Sequence, residues 1–264
     1  MTARTRGAML RSMSTTTTAA PPPVRTAEPA PAQPSGASKL DAVRAFGVML
    51  GGPIVLLSAV AAASVDALRA LRRGRTPRSK SLLVLAAAAA YHRWMLPWMR
   101  RWGSTDAELE LTLPGDDGGG GVQQTHVVQI DAPASDVWPW VAQIGQDRGG
   151  FYSYTSLENL AGCRMRNADR LHPEWQHRDV GETVLLHPAS GLKVLHFEPG
   201  RALVLEGGWS LVVLDDGPRC RLIARFRAPR GAVGSAYAML LELPHFLMER
   251  RMLLGIKRRA ERTA

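Results

Sequence analysis

Between Arg44 and Asp66 the chain runs for twenty residues, FGVMLGGPIVLLSAVAAASV from Phe46 to Val65, without a single charge. As a helix, twenty residues extend about 30 Å, which is the hydrocarbon thickness of a bilayer. The glycines and Pro53 within the run weaken a soluble helix but are tolerated in a membrane. Burial as a soluble core helix would need apolar partner elements around it, and the sequence shows none. The run therefore predicts a membrane helix over about 46–68. The basic block that follows, Arg69, Arg72, Arg73, Arg75, Arg78 and Lys80, is the kind that stays cytoplasmic.

That block also locates the net charge of +10. Residues 1–105 hold 15 Lys/Arg against 3 Asp/Glu, whereas the rest hold 18 against 20. A nucleic-acid module needs its basic surface on the folded part to neutralise phosphates, so nucleic acid is excluded as a partner. Residues 1–38 are rich in Thr, Ala, Pro and Ser and have too few large apolar groups to offset chain entropy, so they read as a disordered tail. A second apolar segment over about 81–100 is broken by His92 and Arg93, yet Tyr91, Trp94 and Trp98 suit a membrane interface. It is either a second span or an interfacial helix, and the side of the membrane on which the remainder lies turns on which. Residues 39–102 thus form an anchor region.

Residues 103–124, with their acids and glycines, read as a flexible linker. The run Gly118 to Gly121 precedes a strand, whereas phosphate loops follow one, so no nucleotide site is implied. From Thr125 to the end the pattern is that of one α+β domain. HVVQI alternates as a half-buried strand, and Ser135 with Asp136 opens a helix that Gly145 ends. Short strand runs then follow from Glu182 to about residue 228, separated by PASG, EPGR and GG, with DDGP as a hairpin turn. Their last member places Cys220, Leu222, Ala224 and Phe226 toward a core and Arg219, Arg221, Arg225 and Arg227 toward water. A long helical pattern from Ser235 to Arg262, interrupted at Pro244, closes the chain. A curved antiparallel sheet around a long C-terminal helix leaves a space between them that suits a ligand.

The stretch from Trp138 to Trp175 holds the candidate site. Tyr152 and Tyr154 join apolar rings to hydroxyls and suit either a cavity mouth or a core plug. In the NADR cluster, Asn167, Asp169 and Arg170 offer polar contacts to a ligand or acid/base chemistry; the competing reading has them cap a turn and pair locally. Asn159 on a short helical turn and Trp175 at the end of the loop complete the set. No catalytic residue can be assigned. The seven histidines lack metal-ligand spacing, G-x-S-x-G is absent, and Cys163 and Cys220 form no disulfide framework, so the sequence implies no metal and no cofactor.

The patterns WPWVAQIGQDRGGFYSY, LENL, NADRLHPEWQ, VGETV, HFEPGRALVL and PHFLMERRMLLGIKRRAE together resemble the START/polyketide-cyclase-like (SRPBCC) superfamily, in particular bacterial members with a hydrophobic N-terminal segment. The chain departs from that pattern at Thr155-Ser156, where an acid and an aromatic are expected, and at Asp147, where glycine is usual. The resemblance implies a helix-grip fold over 125–264 and a bacterial inner-membrane location. It also implies a hydrophobic small molecule or lipid held between sheet and helix. Three functions remain open at this point. One is a membrane-anchored binding domain. A second is a cyclase or dehydratase using Asp169, Arg170 or a tyrosine. The third is an interaction domain whose sheet–helix space is filled by its own side chains.

Overall fold

The computed structural model describes residues 39–116 and 121–263; the tail over 1–38, read above as disordered, lies outside the described residues. The first helix, α1 (Lys39–Arg72), contains the uncharged run, and Gly51–Arg72 is long and apolar enough to cross a membrane. Within Gly51–Arg72 only Ala63 is buried, and Val55, Leu56 and Leu71 are more than half accessible. The second apolar segment is helical without a break from Ser79 to Arg100. It comprises α2 (Ser79–Ala90), a π-helical turn (Tyr91–Met95) and α3 (Leu96–Arg100), and α2 packs against α1. Near the connecting loop, Asp66 accepts from the Ser81 hydroxyl at 2.8 Å and from the Arg78 N–H.

Six antiparallel strands form one sheet in the order β1-β6-β5-β4-β3-β2. They are β1 (Gln123–Ile130), β2 (Thr183–His187), β3 (Ser190–Glu198), β4 (Ala202–Leu205), β5 (Trp209–Asp216) and β6 (Arg219–Arg227). Irregular register between Leu185 and His187 and between Val194 and His196 bends the far half of the sheet. Two helices cover the inner face, α5 (Ala134–Ala142) and the long α8 (Glu242–Thr263). The break seen in the pattern at Pro244 falls three residues earlier, at Leu241, between α7 (Ala232–Leu240) and α8. Pro244 therefore lies in the first turn of α8, where its missing N–H costs no helical bond.

The sheet–helix space is filled. Trp140, Tyr152, Leu211, Leu222, Met252, Leu253 and Ile256 meet there with almost no exposed surface, in a cluster drawn from both helices and all six strands. Gly255 permits the closest approach, since a Cβ at that position would stand 2.3 Å from the Tyr152 carbonyl oxygen.

The reading of 103–124 as a flexible linker needs correction. Thr105 opens a short helix, α4 (Asp106–Glu110), with a full capping box, and Leu113 joins Val127, Val212 and Ile223 in a small core on the outer face of the sheet. Three of the four β6 arginines expected in water are this segment's partners, whereas Arg219 stays exposed and pairs with Asp131. Arg221 Nε donates to Glu108 at 2.7 Å. Arg227 pairs with Asp116 at 2.9 Å. Arg225 is buried, donating to the Leu111 and Glu108 carbonyls, each at 2.6 Å, and to Asp116 at 2.7 Å. Acids that look solvating in the sequence thus neutralise arginines across the sheet.

Candidate functional site

The predicted site residues do not converge on one point. Tyr152 is buried at a φ of +55° and its hydroxyl accepts from Gln143 Nε2 at 3.0 Å. Its ring packs edge-on to Trp140, with the Arg259 guanidinium 4.6 Å from the ring centre. Burial pushes its phenol well above the ordinary range, so it remains protonated. The unusual backbone of Tyr152 is held by Asn167, whose Oδ1 accepts the Tyr152 N–H at 2.7 Å while its Nδ2 donates to the Ser153 carbonyl at 3.2 Å. Asn159 makes the same kind of two-way clasp on Met165, at 2.7 and 3.2 Å. Tyr154 is exposed on the N-terminal side of α6 (Thr155–Leu160), with Arg251 over its ring.

Asp169 and Arg170 are exposed. Asp169 lines a shallow surface groove with Arg258, Arg259, Glu261 and Arg262. Arg170 contributes its carbonyl, which accepts from Gln143 at 3.2 Å, and Trp175 stacks on His172 at 4.0 Å. The loop is organised by two residues that the sequence did not single out. Gln143, fully buried at the end of α5, bonds Tyr152, Arg170, His172 and Gln176. Arg178, also buried, donates to the Ala142 and Ile144 carbonyls and to Glu182. Its burial, with Arg148 nearby, lowers its pKa to about 10. Within NADR, the Asn167 side chain and the Arg170 carbonyl hold the loop in place.

A different cluster does converge, and it lies at the other end of α8. Glu249 is buried and takes three donors: Trp209 Nε1 at 2.6 Å, His126 Nδ1, and His245 Nε2 at 3.4 Å. His245 Nδ1 in turn is hydrogen-bonded to the Tyr237 hydroxyl, which itself accepts from Gln124 Nε2 at 3.2 Å. The result is a chain Gln124–Tyr237–His245–Glu249–His126, buried at Gln124, Glu249 and His126 and partly buried at Tyr237 and His245. Register explains its placement. Gln124, Phe226 and Trp209 are paired across β1, β6 and β5, and the next row of the same face is His126, Ala224 and Leu211. The small Ala224 leaves room for the α8 carboxylate between a histidine and a tryptophan. Burial opposes ionisation of Glu249, but His245 and His126 outweigh it and hold the carboxyl below its ordinary range. Tyr237 moves the other way, raised by burial and by Glu249.

This chain matches no protein-family profile and no curated protein. Among solved structures it is similar to the solution NMR structure of a polyketide cyclase-like protein from Corynebacterium glutamicum. The identity is 17%, over 53% of this chain and 91% of that one, with a TM-score of 0.29.

Chemically, the Glu249 cluster holds a carboxylate, two imidazoles and a phenol within hydrogen-bond reach of one another. One signal in the sequence pointed to it. His245 and Glu249 stand at i, i+4 on the final helix, and His126 sits on the inward face of the first strand, a polar residue at core positions. Another buried acid stands apart on α6: Glu158, whose Oε2 has no hydrogen-bond partner and whose pKa burial raises to about 7. The Cys163 thiol donates to the Leu186 carbonyl at 3.4 Å, and burial raises it to about 11, which makes it unreactive at neutral pH.

Proposed function

We propose that this chain is a membrane-anchored helix-grip domain that binds a hydrophobic small molecule or lipid. The observation that carries the reading is an apolar band running from the bilayer-length helix onto the domain. Helix α7 packs on α1 and exposes Val233 and Met239, Leu247 on α8 is also exposed, and Trp94 and Trp98 stand out from the second helical run. The junction is held by an ion pair and ring contacts. Arg100, at the end of that run, forms a two-pronged pair with the buried Glu242 at 2.5 and 3.0 Å, and Phe246 contacts the rings of Trp98, Trp102 and His126. A molecule dissolved in the bilayer would meet these exposed apolar groups on its way to the sheet–helix seam. The resemblance of the sequence to the START/polyketide-cyclase-like superfamily agrees with this reading.

The filled space between sheet and α8 favours a second reading, an interaction domain without ligand. It also moves the expected ligand from the centre of the seam to its α7 end. A cyclase or dehydratase built on Asp169 or Tyr152 has less support, because one lies on the surface and the other is capped by Gln143 in the core.

Native mass spectrometry of the full chain released from detergent, combined with organic extraction, tests the proposal. A stoichiometric apolar molecule carried through purification is the expected result. Protein that stays free of any such molecule, and binds none when offered membrane lipid, would leave the interaction domain as the answer.

A further inference from the structure

Arg250 and Arg251, neighbours on α8, are half-buried and stand apart from the other enclosed arginines. Arg148, Arg178, Arg221 and Arg225 each pair with a carboxylate. Among the described residues neither Arg250 nor Arg251 makes an ion pair or a hydrogen bond. What each guanidinium has is an aromatic ring: Arg250 lies 4.9 Å from the centre of Trp102, and Arg251 lies 5.3 Å from that of Tyr154. A cation over a ring is held in place without using its N–H groups, so the donors of both side chains are left for an acceptor from outside the chain.

Consecutive helical residues are turned by about 100°, and the arc between Arg250 and Arg251 holds Leu243, Leu247 and Leu254. Leu247, one turn before the two arginines, is 48% exposed. The acids of these turns, Glu242 and Glu249, lie on the opposite side of the helix, buried and already engaged by Arg100 and Trp209. The outer strip of α8 is thus leucine and arginine with no acid. It begins where the second helical run ends. Phe246 meets the rings of Trp98 and Trp102, and the Trp102 that carries Arg250 is two residues past Arg100, the last of that run. Trp98 is half exposed, as tryptophans at a membrane–water boundary are.

We infer that this strip of α8 docks on the membrane surface, Arg250 and Arg251 donating to the phosphate of an anionic phospholipid while Leu247 enters among the acyl chains. A phosphodiester supplies acceptors in the geometry that a guanidinium matches, and the lipid it belongs to brings apolar chains for the leucine. Phosphatidylcholine carries its own cation beside the phosphate, so two unpaired arginines favour a lipid of net negative charge. Nucleic acid offers the same phosphate, but residues 106–264 hold 18 basic against 20 acidic residues, and it would leave Leu247 uncovered. The inference rests on the membrane-anchored reading above and adds to it the face that the domain turns to the bilayer and the lipid class it selects.

The test reconstitutes the full chain, with Leu247→Cys carrying a polarity-sensitive fluorophore, into vesicles of phosphatidylcholine alone or mixed equally with phosphatidylglycerol. Labelling at neutral pH is selective for the introduced thiol, because Cys163 is raised to about 11 and Cys220 is buried. A blue-shifted emission, quenched by spin-labelled lipid, is expected in the mixed vesicles and much more weakly in phosphatidylcholine. Each arginine at such a surface changes the docked-to-free ratio about fivefold, so Arg250→Gln with Arg251→Gln is expected to lower it about thirtyfold. Arg258→Gln with Arg262→Gln, at the far end of α8, should leave it within about twofold. Equal quenching in the two kinds of vesicle, or in the Arg250/Arg251 double variant, would overturn the phosphate assignment. Water-like emission in a chain that floats with the vesicles would overturn the docking and leave the anchor intact. A chain that does not float with them would overturn this inference together with the anchored reading it rests on.

Discussion

Trp209 Nε1 donates to Glu249 Oε1 at 2.6 Å, so the second turn of α8 is tied to β5, while the other carboxylate oxygen ties it to His126 on β1. One buried carboxylate thus spans three strands, with β6 beneath it. Removing its charge leaves donors facing a neutral amide that can satisfy only some of them. Glu249→Gln is expected to destabilise the fold by about 3 kcal/mol, the scale for breaking a buried ion pair. Equilibrium denaturation of the detergent-solubilised chain measures this, and a loss below about 0.5 kcal/mol would mean that the cluster contributes little to holding α8. Because the folded carboxyl titrates below its unfolded value of about 4.3, its contribution is present above that pH and is lost as pH falls through the depressed folded value.

Asn167 and Arg170 are three residues apart in the same cluster and should behave differently. Asn167 makes two backbone bonds that hold Tyr152 at positive φ, whereas Arg170 engages through its carbonyl, which any residue supplies. Asn167→Ala is expected to lower stability by about 1–3 kcal/mol through the unpaired Tyr152 N–H. Arg170→Ala and Asp169→Asn should each stay within about 0.5 kcal/mol, as surface changes do. A thermal melt of the three variants separates them. Loss of ligand binding in Arg170→Ala with unchanged stability would instead restore the loop as a binding site.

Much of the fold was legible because it depends on local pattern. Strand alternation, glycine-marked turns and the long final helix place the six-stranded sheet and α8 within a few residues of their positions. The failures share a physical cause, which is that a charged residue does not say where its partner is. Arg225 alternates outward as a solvent-facing residue should, yet Glu108 and Asp116, over a hundred residues earlier, fold over it and bury it. Likewise His126, Trp209, Tyr237 and Glu249 are scattered singles in the sequence, and only strand register and the rotation of α8 bring them together. NADR drew attention because its polar residues are contiguous, but contiguous polar residues serve loops as readily as sites.

Glu158 gives the opposite pH signature from Glu249. Burial raises its folded pKa to about 7, so between about pH 4.3 and 7 the folded state holds a proton that the unfolded state has released. Stability from this residue is therefore full below about pH 4.3, falls as pH rises, and levels off above 7. Glu158→Gln, which mimics the protonated form, should abolish that fall and make the protein about 1–3 kcal/mol more stable at pH 8, after allowance for its partial contact with solvent. Denaturant midpoints of the two proteins at pH 5 and pH 8 supply the check. A difference that does not change with pH would show that Glu158 ionises normally.

Gly255→Ala sets two effects against each other. In an exposed helix interior the change would favour the fold by about 1 kcal/mol, because alanine loses less backbone freedom. At Gly255, however, the new Cβ would lie 2.3 Å from the Tyr152 carbonyl oxygen and 2.8 Å from its Cβ. Tyr152 cannot retreat, since Asn167 holds its N–H, Gln143 holds its hydroxyl, and Trp140 and Arg259 enclose its ring. The helix must move instead, and its displacement strains the contacts of Met252 and Ile256 with the sheet. Overpacking of this kind costs about 1–3 kcal/mol, and with backbone on the receiving side the upper end applies, so the clash exceeds the propensity gain. The expected outcome is a melting temperature lowered by several degrees, on the order of 4 °C or more. Gly51→Ala, with nothing within 4 Å of its Cβ, should show no such loss. A Gly255→Ala protein as stable as the parent would mean that α8 and the loop that carries Tyr152 are not in the tight contact on which the filled seam depends.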